Sequence, residues 1–145
     1  MEDVYNIFMI KIGIVGGIGS GKSFIAKLFN SPVFNADKEV NYLYKNRRNC
    51  FVKLRNQIPE FVKSFPISKE ELIAAINHNN QNLKKISSIV HPLVRKKMNS
   101  FLRKNKKKKI VVLDVPLLIE NRLYKKDYII VFIHSKKNKV INRLK

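Results

Sequence analysis

Residues 13–24 read GIVGGIGSGKSF, and all five glycines of the chain fall between Gly13 and Gly21. The spacing fits G-x-x-x-x-G-K-[ST], with Gly16, Gly21, Lys22 and Ser23 at the defined positions. Glycine tolerates positive φ and lets a backbone lie close to a ligand. A loop built this way can turn successive N–H groups toward one anion, and the helix after it adds free N–H donors. Lys22 is then placed to reach the β- and γ-phosphates of a nucleotide, and the Ser23 hydroxyl to ligate Mg²⁺. The alternative is a chance glycine turn between a strand and a helix. The flanks argue against chance. FMIKIGIV ahead of the loop alternates or runs apolar like a buried strand, and KSFIAKLF after it has helical spacing at Phe24, Ile25, Leu28 and Phe29.

A chain of 145 residues is long enough for one domain with a real core. Its 45% hydrophobic content argues against disorder. The longest apolar run, IVVLDVPLLI, is too short for a membrane span and carries Asp114. Glu2 and Asp3 stand where a secretory leader would have cations. The one cysteine, Cys50, excludes an internal disulfide and a cysteine-rich zinc site. A cytoplasmic location is the simplest expectation.

The formal charge of +20 invites a nucleic-acid partner. A polyanionic substrate, or a compositional preference for lysine, accounts for it as well. The densest basic run, Arg103 to Lys109, has no interleaved aromatic residue, so a stacking surface for single strands is not indicated. It reads as a solvated connection, and nucleic-acid binding is not expected.

Strands are expected at Met9–Val15, Val33–Ala36, from Lys109 to near Asp114, and over DYIIVFIHS. Helices are expected at Lys22–Asn30 and Asp37–Lys45, with a less regular helix between Arg47 and Ser64 broken near Pro59. Ser68 and Glu71 form a capping-box pattern that starts another helix. Helical rhythm continues through Leu83, Ile86, Ile89 and Val90, a break is expected at His91-Pro92, and Pro92 suits the first turn of a new helix. KKNKVINRLK starts a last helix. Continuous apolar strands alternating with helices indicate an α/β protein with a parallel sheet covered on both faces.

Ligands of such sheets sit at the carboxyl ends of the strands. Asp37 follows the second strand, as a catalytic carboxylate or as a helix N-cap. Asp114 closes the apolar part of the third, as a carboxylate assisting Mg²⁺ or as an ordinary strand-end residue. His91 has a structural role or a substrate contact, and Glu120 and Asn121 face the crevice or form a turn. His78 and His134 have no partner at metal-ligand spacing.

Together these motifs resemble the dephospho-CoA kinase family. GGIGSGKS at Gly16 to Ser23 is similar to its loop, and Asn35-Ala36-Asp37 to its aspartate-alanine-aspartate motif. His91 to Val94 and DVPLLIENRLYKK, Asp114 to Lys126, are similar to two further signatures. The resemblance runs from Met9 onward and leaves residues 1–8 as an extension. It implies a single three-layer P-loop kinase domain with strand order 2-3-1-4-5 and a helical substrate-side insertion over about residues 45–105. It implies transfer of the ATP γ-phosphoryl group to the ribose 3′-hydroxyl of dephospho-CoA. Gly16, Gly17, Ile18, Gly19, Ser20, Gly21, Lys22, Ser23 and Phe24 would bind ATP. Ser23 and Asp114 would serve Mg²⁺. Lys22 and Asp37 would be catalytic, with Asp37 taking the hydroxyl proton.

Two departures stand out. Asn35 replaces the first aspartate of the family motif. The family also continues beyond Lys145 with an arginine-bearing lid, a fifth strand and a terminal helix, and Arg143 does not align with the lid arginine. On that reading the chain is truncated, its activity reduced or lost, and its fourth strand an open edge. Self-association there, or completion by a separate C-terminal fragment, is the expectation. The competing functions are an inactive nucleotide-binding remnant, another small nucleoside or nucleotide kinase, and a basic nucleic-acid-binding protein.

Overall fold

The computed structural model describes residues 8–115 and 127–135. The segment ahead of Phe8, the proline-leucine-leucine signature with Glu120 and Asn121, and the expected last helix with Arg143 lie outside the described residues. The elements run β1 (Ile10–Gly16), α1 (Lys22–Leu28), β2 (Val33–Asn35), α2 (Ala36–Asn46), α3 (Arg48–Gln57), α4 (Lys69–His78), α5 (Asn80–Lys104), β3 (Ile110–Asp114) and β4 (Tyr128–Ile133). The chain divides into two compact units. Residues 1–36 and 98–145 form the first, and Asp37–Lys97 the second.

The first unit is built on a parallel sheet of order β2-β3-β1-β4. This is the order the resemblance implies for these four strands. Ile12 and Ile14 of β1 pack with Val112 of β3 and Ala26 of α1, and Ile25 and Phe29 close over them. Phe24 and Leu28 share the apolar spacing of α1 but stay exposed. On the other face Phe34 of β2 meets Phe101 of α5, with ring centroids 5.6 Å apart. Val111 and Leu113 are fully buried, so β3 is apolar on both faces because both faces are covered. Each such side chain contributes roughly 1.5–3 kcal/mol. Lys11 pairs with Asp127, which leads into β4.

The second unit is helical, and asparagines punctuate it. Ser68 caps α4 by accepting from the Glu71 N–H at 3.1 Å, one half of the expected capping box. The Glu71 carboxylate instead accepts from the Lys63 N–H and the Ser64 hydroxyl, both at 3.3 Å. The helical rhythm expected to run on past His78 is interrupted at Asn79, which is extended. Asn79 Oδ1 accepts from the Gln81 N–H at 2.9 Å, as an N-cap does, and the buried Asn82 amide donates to the Ala75 carbonyl at 2.8 Å. α3 ends ahead of Pro59, where the sequence places a break.

The expected break at His91-Pro92 does not occur, since α5 runs through it as one 25-residue helix. Proline inside a helix costs about 3 kcal/mol. Against that stands an unbroken row of buried side chains, Ile86, Val90, Val94 and Met98, spaced four apart on one face. Pro92 and His91 both sit on the exposed face. Packing of the row outweighs the missing hydrogen bond.

Candidate nucleotide site

The glycine loop leaves β1 at its carboxyl end, as expected for a parallel sheet. Gly19 and Gly21 have φ of 73° and 95°, which L side chains seldom adopt. At Gly16 the constraint is space. An added Cβ would lie 2.6 Å from the Ile133 carbonyl oxygen and 2.8 Å from Ser20 Oγ. The first is backbone and cannot move aside, so β4 and the loop approach this closely only at a glycine. Gly17 and Ile18 are exposed at the tip, and Ser20 is buried beneath it. Ser135, just after β4, donates its hydroxyl to the Ser20 carbonyl at 2.8 Å. This support was not legible in the sequence, because the two serines are 115 positions apart.

Lys22 Nζ folds back over the loop and donates to the carbonyls of Gly16 and Gly17 at 2.9 and 2.8 Å. Its charge is thereby held at the mouth of the loop. Ser23 Oγ donates to Asp114 Oδ2 at 2.7 Å. The same oxygen accepts from Asn35 Nδ2 at 2.8 Å. Asp114 is 3% exposed. A carboxylate so far from water needs donors, and β2 and α1 supply one each. Phe24, the last of the loop residues singled out, is exposed on α1.

Ser23 and Asp114 therefore come together as a hydroxyl and a carboxylate, the all-oxygen donor set of a hard cation such as Mg²⁺. Among the described residues there is no group of three or more His, Cys, Asp or Glu able to hold a metal. A cation held here would need its remaining ligands from water and phosphate, as Mg²⁺ commonly does.

Asp37 lies in the first turn of α2, the second residue of that helix, and is exposed. The N-cap alternative is corrected by this placement: α2 begins at Ala36, so Asp37 is inside the helix. Asp37 falls in the second compact unit, next in sequence to the end of the first. His91 is exposed on α5, and among the described residues His78 packs its ring against Phe61. Burial pushes the Cys50 thiol upward, and burial first, then Cys50, pushes the Tyr44 hydroxyl up to about 12. Neither is a reactive anion near neutral pH. Among the described residues no helix is long and apolar enough to cross a membrane.

A β2-β3-β1-β4 parallel sheet, with a lysine-serine glycine loop at the end of β1 and a carboxylate at the end of β3, defines an α/β protein of the P-loop kinase class. The dephospho-CoA kinase pattern matches residues 10–145, and the chain belongs to that family. It is 36% identical over 129 residues to the dephospho-CoA kinase of Wolbachia pipientis wMel, covering 86% of this chain and 66% of the relative. It is 32% identical over 115 residues to that of Zymomonas mobilis, covering 77% and 58%. The chain thus spans at most about two thirds of these relatives. A crystal structure of a Thermus thermophilus protein superposes with a TM-score of 0.78 at 28% identity, covering 93% of this chain and 70% of the other. A dephospho-CoA kinase structure from Campylobacter jejuni shares the fold, with a TM-score of 0.63 at 15% identity and 94% of each chain covered.

Proposed function

We propose that the chain binds ATP with Mg²⁺ in the Gly16–Phe24 loop and transfers the γ-phosphoryl group to the ribose 3′-hydroxyl of dephospho-CoA. The observation that carries this reading is the convergence of Lys22, Ser23 and Asp114 at the carboxyl ends of β1 and β3. Membership of the dephospho-CoA kinase family supports the choice of acceptor. Lys22 exchanges the carbonyls of Gly16 and Gly17 for phosphate oxygens, carrying its charge onto the triphosphate. Ser23 and Asp114 hold the cation, which when bound neutralises charge on the phosphates. Asp37 accepts the proton of the 3′-hydroxyl. The bond from that oxygen to the γ-phosphorus forms as the bond from phosphorus to the β-γ bridging oxygen breaks, and ADP leaves. Positioning and charge neutralisation supply most of the rate in such transfers. The cytoplasm, where ATP is available, is the location this reading implies. The test is ADP release in the presence of dephospho-CoA, compared with a panel of nucleosides and nucleotides. ADP formation that needs dephospho-CoA is the expected result. A nucleoside preferred as acceptor, or ADP release that does not need dephospho-CoA, overturns the acceptor assignment, and no release above the blank overturns the proposal that this chain is active.

The same reading extends to self-association. Among the described residues β4 is one of the two outer strands of the sheet, with Ile129 and Phe132 exposed on opposite faces. An apolar edge of this kind accepts another strand. Light scattering is expected to give a mass that rises with concentration, and Phe132→Lys to return it to the monomer. A monomer at every concentration removes this proposal.

A further inference from the structure

Asn35 ends β2 directly opposite Asp114 in the β2–β3 register. Its amide and the Ser23 hydroxyl meet at one oxygen, Asp114 Oδ2, at 2.8 and 2.7 Å. The two donors differ in kind. Ser23 belongs to the loop and has a cation to ligate. The Asn35 amide comes from the neighbouring strand and, as a donor, cannot ligate anything through its nitrogen. We propose that Asn35 is a positioning residue for the cation site. It keeps the Asp114 carboxylate turned toward Ser23, and being neutral it leaves that carboxylate as the sole formal charge of the pair. This rests on the nucleotide reading given above.

The physical argument is one of charge at close range. With an aspartate at position 35, an anionic oxygen would stand where Nδ2 now donates. Two carboxylates at that distance share a proton unless a cation lies between them and lets both ionise. The asparagine lets the site assemble with no cation present, because Asp114 has two hydrogen bonds in place of one bond and one repulsion. The consequence is weak binding of a bare divalent ion and stronger binding once phosphates bring further oxygens. With an alanine at 35, Oδ2 keeps only the Ser23 hydroxyl, and the carboxylate is free to turn away.

The experiment uses Mn²⁺ as a spectroscopic probe with the full chain, wild type, Asn35→Ala and Asn35→Asp, with and without ATP. Melting curves are taken alongside in chelator and in excess Mg²⁺. Groups that orient a metal ligand typically govern roughly 10- to 100-fold in affinity. Asn35→Ala is therefore expected to weaken Mn²⁺ in the ATP complex by about 10-fold or more. ATP affinity in chelator should be unchanged. Asn35→Asp is expected to bind Mn²⁺ without ATP more tightly than wild type, and to melt lower in chelator with recovery in Mg²⁺. A residue that merely packs the strand end would shift melting without this cation dependence. If wild type binds neither ATP nor Mn²⁺ with ATP, the nucleotide reading falls. If wild type binds both and the two variants match it, the role of Asn35 falls alone. Should Asn35→Ala not fold, Asn35→Asp decides.

Discussion

Asp37→Asn is expected to lower phosphoryl transfer to dephospho-CoA by about 10³-fold, within the range a positioned general base contributes. ATP affinity should stay within about twofold, since no part of the proposed phosphate site includes this carboxylate. The substitution keeps the shape and removes the ability to take a proton. Its structural cost is small and can be bounded. Asp37 is exposed in the first turn of α2, where a negative charge is worth only about 0.3–1 kcal/mol. Melting should therefore move by little while turnover collapses. That separation is the diagnostic, because a helix-stabilising aspartate would do the opposite. A coupled ADP assay and calorimetry on the same preparation read both quantities. Full turnover in the variant leaves Asp37 as a helix residue and returns the search for a base to other carboxylates.

The parts legible in the sequence were those whose physics is local. Gly16 to Ser23 could be read because glycine φ values and the lysine-serine spacing lie within one short segment. The sheet could be read because strands buried on both faces are largely apolar runs, continuous in β3 and interrupted in β1 only by Lys11 near its start. The helical segment was read less well, for two opposite reasons. At Asn79 the local side chains override the periodicity, because Asn79 and Asn82 satisfy the backbone groups of two helix ends at once. At Pro92 the periodicity overrides the local signal, because the buried row from Ile86 to Met98 is continuous through it. Neither outcome follows from residue type alone. In the site, Asn35 was noted as a lost charge, yet its bond to Asp114 depends on the β2–β3 register. Ser135 gave no signal at all, since only the closed approach of β4 to the loop brings it to Ser20. Pairings across strands distant in sequence are set by tertiary contacts, which a single sequence does not spell out.

Lys22→Ala is expected to weaken ATP by about 100-fold or more, some 3 kcal/mol at about 1.4 kcal/mol per tenfold. Hydrogen bonds to a charged partner contribute about 1.5–3 kcal/mol each, and an ammonium offers three donors. Two of those donors are spent on the Gly16 and Gly17 carbonyls, at 2.9 and 2.8 Å. Binding exchanges them for phosphate oxygens of full negative charge, so the gain is the difference between a neutral and an ionic acceptor. Alanine forfeits that gain and also frees the two carbonyls, whose negative ends then face the incoming anion. The loop itself should survive, because Gly17 is exposed and water can replace the ammonium at its carbonyl. A marked fall in the melting temperature of the variant without nucleotide would point to collapse of the loop instead. Lys22→Arg tests the geometry separately. It keeps the charge, but a planar fork does not replace a compact ammonium between two carbonyls and a phosphate, so it should recover only part of the affinity. Calorimetry with ATP and Mg²⁺ on the three proteins settles the order. Equal affinity in wild type and Lys22→Ala would mean that the nucleotide, if bound, is not held by this loop, and the roles given to Ser23, Asp114 and Asn35 would fall with it.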